Sequence, residues 1–100
     1  MAARVKPNPL NQDEYSVMMY DSESGTMTLQ WSESTGNMTD ENFKEIVAAY
    51  AGFAEQYRIP RLLVDVTKFR HRRGPEIGTW RSREIVPRYH NAGVKRFAYV

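Results

Sequence analysis

At 100 residues the chain is the length of one small domain, and 41% hydrophobic with 26% charged residues is a composition that builds a core rather than remaining disordered. It contains no cysteine, which excludes disulfides and thiolate chemistry and removes the commonest structural zinc ligand. A net charge of only +2 argues against strong non-specific attraction to nucleic acid, and no apolar run is long enough to span a membrane.

The start, MAARVKPNPLNQDEY, has no apolar stretch of the kind that forms a signal peptide, so a cytoplasmic protein is expected. The small net charge conceals an asymmetry. Residues 1–60 carry −5 and residues 61–100 carry +7. A bipolar chain can meet an anionic partner or its own copy with one end, unless the two halves interleave on folding and their charges mix.

Residues 1–14 hold two prolines, two asparagines and no apolar periodicity, and read as a flexible N-terminal arm preceding a single domain over residues 15–100. Next, YSVMMY and MTLQWS flank a turn supplied by Asp21, Ser22, Ser24 and Gly25, which predicts a β-hairpin. ESTGN (Glu33 to Asn37) reads as a loop. The clearest element follows. Phe43, Ile46, Val47, Tyr50, Phe53, Ala54 and Tyr57 recur at spacings of three and four, Thr39 is placed as an N-cap, Asp40 and Glu41 suit the positive end of the helix, and Pro60 marks its end. Gly52 within this stripe costs about 1 kcal/mol against alanine, which suggests a close approach there.

RLLVDV (Arg61 to Val66) has no strict alternation, the pattern of a strand covered on both faces. A basic stretch, KFRHRRG, then leads into a second helical region with Pro75 at its start and Gly93 as its C-terminal cap. Pro87 should kink or divide that helix near Ile85 and Val86. VKRFAYV reads as a last strand. Strand, strand, helix, strand, helix, strand is an α/β order. It predicts a mixed four-stranded sheet, an N-terminal hairpin plus parallel β-α-β-α-β crossovers, with helices on one face and the arm or a partner on the other.

Four landmarks make this order resemble the STAS-like family, the fold of anti-sigma-factor antagonists and related small bacterial proteins. They are Tyr20 and Asp21 after the first strand, LLVDV ending in Asp65, Trp80 early in the second helix, and Pro87 with the ending Ala92 to Val100. The resemblance implies a non-enzymatic regulatory module that binds a protein partner through the loop and second helix. Members of the family carry a phosphorylated serine at the start of that helix. His71-Arg72-Arg73-Gly74 stands in its place without a hydroxyl, so the phospho-switch is not carried over. The resemblance also implies a closing C-terminal segment that this sequence lacks. Because a relative of the fold binds hydrophobic ligands, a small-molecule or lipid carrier is the alternative, and it requires an apolar cavity between sheet and helices.

No residue set specifies catalysis, and neither a cofactor nor a metal is expected. His71, His90, Asp65, Glu76 and Glu84 have no spacing that brings an acid and a base together. Arg70, His71, Arg72, Arg73 and Gly74 form the candidate partner- or anion-binding site. Guanidinium groups would converge there with the start of a helix, although such a string is also the pattern of a solvated charge run. Phe69 and Trp80, which flank it, are spaced to enter the core rather than to stack on bases. Asp65 and Thr67 mark a candidate ligand crevice at a strand's carboxyl end, or else Asp65 simply caps the following loop. The expected partner is acidic or phosphorylated protein, nucleic acid is disfavoured, and an exposed last strand favours a homodimer.

Overall fold

The computed structural model describes residues 8–100, and the first seven residues of the expected arm lie outside the described residues. Among the described residues the sheet has five strands rather than four, in the order β1 (Asn8–Gln12), β2 (Ser16–Asp21), β3 (Thr26–Trp31), β4 (Arg61–Asp65) and β5 (Arg96–Tyr99). The first three are antiparallel, while β3–β4 and β4–β5 are parallel, as helical connections require. The additional strand comes from the segment read as an arm. It extends the sheet edge instead of lying across a face. Its proline, which has no N–H to donate, and the register shift between Pro9 and Asn11 are features of an edge strand, where a missing ladder bond is tolerated.

Helices cover one face. Met18, Met27, Leu29, Trp31, Leu62 and Val64 point towards them and are buried, whereas Thr28, Gln30, Leu63 and Asp65 belong to the opposite face. Helix α1 (Asp40–Tyr57) opens with a reciprocal capping box. Thr39 Oγ1 accepts from the Asn42 N–H at 3.1 Å, and Asn42 Oδ1 accepts from the Thr39 N–H at 2.9 Å. Phe43, Ile46, Val47, Tyr50 and Ala54 of the expected stripe are buried together with Ala51, and Tyr57 ends the stripe at the surface, stacked on Tyr20. A methyl group on Gly52 would meet Arg88 Nη2 at 3.6 Å, an ordinary contact, where the second helix crosses α1.

That second helix is continuous but irregular. Helix α2 (Ile77–Trp80) runs into a π-helical turn (Arg81–Ile85) and then into α3 (Val86–Ala92), capped by Gly93 at φ 87°. Pro87 can donate no hydrogen bond to the preceding turn and its ring crowds the carbonyl there, so the chain widens upstream, as the proline predicted. The loop expected at Glu33–Asn37 is a short 3-10 turn, with Thr35 fully buried.

The fold also interleaves the charged halves. Arg70 pairs with Glu33, His71 with Asp40 and Arg88 with Glu55, each joining the basic half to the acidic one. Of the ten cations in residues 61–100, Arg70 and Arg88 thereby meet carboxylates of the acidic half. Among the described residues no helix is long and apolar enough to cross a membrane.

Candidate binding pocket

The basic stretch lies on the sheet's carboxyl end, held by contacts that sequence order does not reveal. The Arg70 N–H donates to Thr35 Oγ1 at 2.8 Å, and that hydroxyl donates onward to the Ser32 carbonyl, also at 2.8 Å. The Arg70 guanidinium reaches Glu33 at 3.0 Å, an exposed pair that contributes little. His71 is turned inward. Its ring stacks on Phe43, meets Phe69 edge-on, and its Nε2–H donates to Asp40 Oδ1 at 2.7 Å. Asp40 also accepts the Gly74 N–H at 3.1 Å, so the carboxylate opening α1 takes up that donor just before the second helix. The His71 hydrogen bond first, and the Gly74 N–H after it, hold the Asp40 carboxyl below its ordinary value.

The five residues of the basic cluster are thus divided between roles. Arg70, His71 and Gly74 pin the loop, while Arg72 and Arg73 stand exposed without an ion pair among the described residues. Arg73 lies with its guanidinium carbon 5.8 Å from the Phe43 ring centre and 5.6 Å from that of Phe69. Asp65 and Thr67 take the capping arrangement, with Asp65 Oδ1 accepting the Thr67 N–H at 2.9 Å. Hydrogen bonding from Thr67 keeps the Asp65 carboxyl below its usual range. Asp65 borders a shallow depression on the helix-free face with Met19, Asp21, Thr28 and Gln30.

The larger recess is on the other face. A pocket of about 520 Å³ opens between the carboxyl ends of β3, β4 and β5, helix α1 and the π turn. Trp31, Phe43, Val47 and Val64 form its floor, Tyr89 and Phe97 one side, and the exposed Val66, Arg73 and Tyr99 its mouth. Phe69, expected in the core, is half-buried in the aromatic cluster of Trp31, Phe43 and His71. Trp80 is half-buried beside Lys44 and does not line the pocket. The Tyr89 hydroxyl is pushed up to about 12, chiefly by burial, so the wall stays neutral there at physiological pH.

Arg81, also on the wall, was not among the residues singled out from the sequence. A signal for it existed. Ile77, Arg81, Ile85 and Tyr89 form a row at intervals of four, and Ile77, Ile85 and Tyr89 are buried, so a cation occupies a position facing the core. The Arg81 guanidinium lies 5.2 Å from the Phe97 ring centre.

Among the described residues, no three His, Asp or Glu side chains come together in a way that could hold a metal ion. Comparison with known proteins finds no matching family model, no matching curated protein and no matching solved structure.

Proposed function

We propose that the chain is a non-enzymatic binding module that takes a small, largely apolar molecule between its sheet and helices. The observation that carries this reading is the pocket itself: about 520 Å³, walled by aromatic and aliphatic side chains. Ligand sites typically occupy roughly 300–1,000 Å³ and combine apolar walls with a few polar groups. The resemblance to STAS-like modules supports the same reading, since a relative of that fold binds hydrophobic ligands.

The neutral fluorophore N-phenyl-1-naphthylamine tests it. Saturable one-to-one binding is expected, weakened at least about tenfold by Val66→Trp, which places a large ring at the exposed mouth without disturbing the core. Absence of saturable binding, or binding indifferent to that substitution, would overturn the proposal.

A second reading, a regulatory module that engages an acidic or phosphorylated protein, is favoured by Arg72 and Arg73, which stand exposed with no carboxylate partner among the described residues. Arrays of phosphoserine peptides should then retain the protein, and Arg72→Glu should abolish retention while leaving fluorophore binding intact. Equal retention of wild type and variant would remove this reading.

A further inference from the structure

Among the described residues, two guanidinium groups border the pocket and no aspartate or glutamate does. Of the arginines elsewhere among the described residues, Arg70, Arg83 and Arg88 pair with carboxylates, Arg58 and Arg61 donate to backbone carbonyls, and Arg72 and Arg96 are exposed to water, which solvates their charge. Arg73 and Arg81 form neither kind of bond among the described residues and rest against the faces of Phe43, Phe69 and Phe97. A ring face attracts a cation but leaves the guanidinium donors unused. Arg81 in particular is half-buried in a row whose neighbours are apolar, where a cation without a counter-charge is costly.

Resting on the reading of this pocket as a ligand site, we propose that its ligand is an amphiphile with one oxyanion head, carboxylate or phosphate. The head is held by Arg73 and Arg81, and the apolar body lies along Trp31, Val47, Val64 and Phe97. The argument is charge complementarity. An oxyanion accepts the fork of donors that a guanidinium presents and neutralises both cations, whereas a neutral apolar ligand leaves them as they were and a cationic one is repelled. The same geometry explains why the cations stand on the wall: Arg73 comes from the pinned loop and Arg81 from the π turn, so the head is gripped from two separate elements.

Calorimetry at about neutral pH with four probes of one chain length, decanoate, decyl phosphate, 1-decanol and decyltrimethylammonium, tests the head alone. Decanoate or decyl phosphate should bind at least about tenfold more tightly than decanol, and the tighter of the two names the head. Arg73→Met, an exposed substitution that keeps the stem, and Arg81→Met should each erase most of that preference while leaving decanol within about threefold of wild type. Circular dichroism confirms that each variant is folded, and Arg73→Met decides the matter if Arg81→Met is not. Decanol or the ammonium probe binding as tightly as the anions would overturn the oxyanion head and leave the pocket reading standing. Failure of all four probes would overturn both.

Discussion

Replacing Tyr50 by phenylalanine should lower the free energy of unfolding by about 2–3 kcal/mol, an unusually large effect for the loss of one hydroxyl. Tyr50 is fully buried on the sheet side of α1. Its hydroxyl donates to the Met27 carbonyl at 2.6 Å, accepts the Leu63 N–H at 3.2 Å, and lies 3.0 Å from the Leu63 carbonyl. One side chain therefore supplies partners to backbone groups of two adjacent parallel strands, β3 and β4. Phenylalanine keeps the ring and its packing but leaves a carbonyl and an N–H without those partners, and each buried orphan costs about 1–3 kcal/mol. Burial also pushes the Tyr50 hydroxyl far above its ordinary range, so it remains a neutral donor at physiological pH. Urea unfolding checks the expectation, with Tyr89→Phe as control. Tyr89 is likewise buried, yet its hydroxyl makes no hydrogen bond among the described residues. A loss below about 0.5 kcal/mol for Tyr50→Phe would mean that water or a backbone shift replaces the hydroxyl.

Tyr50 illustrates what was legible in the sequence and what was not. Its place in the apolar stripe follows from the period of α1, as do the Thr39 cap and the helix end before Pro60, because these are local effects of a few residues. The hairpin was equally readable from its turn, where Gly25 takes φ 68°. Pro87 announced the irregular second helix through a missing donor. The bond from Tyr50 to two strands was not readable, since nothing local distinguishes a tyrosine that only fills space from one whose hydroxyl reaches the backbone.

The same limit explains β1. Asn8, Pro9 and Asn11 disfavour a strand by propensity, and only the neighbouring edge of β2 makes an extended conformation worthwhile for that segment. It explains the site as well. The basic cluster stood out as a string, but its members diverge in space, with His71 turned towards Phe43 and Arg73 towards the pocket mouth. The pocket itself is lined from β3, α1, β4, the loop, the π turn, α3 and β5, an assembly with no sequence period. Arg81 was readable in principle as a cation in an apolar row.

Substituting Gly74 by alanine should unpin the basic loop, lowering the melting temperature by about 5 °C and accelerating exchange of the residue-74 amide at least about tenfold. A Cβ at position 74 would lie 2.6 Å from Asp40 Oδ2, closer than real contacts allow. Either the loop or the carboxylate must move. In both cases the bond to the residue-74 N–H is lost and the His71 bond to Asp40 is weakened, and the His71 ring loses the anchor that keeps it on Phe43. Because Asp40→Ala removes the other half of the same latch, the two substitutions should be strongly less than additive. Acid provides an independent check. Asp40 is held below its ordinary value of 3.8, so the latch stabilises the fold above that pH and its contribution is lost as pH falls through the lower folded-state value. Wild type and Gly74→Ala should therefore differ at neutral pH and converge in acid. A gap that stays constant after Asp40 has been protonated would show that the variant acts through backbone strain alone and that the carboxylate does not hold the loop. Convergence would make Asp40 the tether of Arg73, and unpinning should then weaken anionic probes more than neutral ones, because the mouth loses a positioned cation while the apolar floor is unchanged.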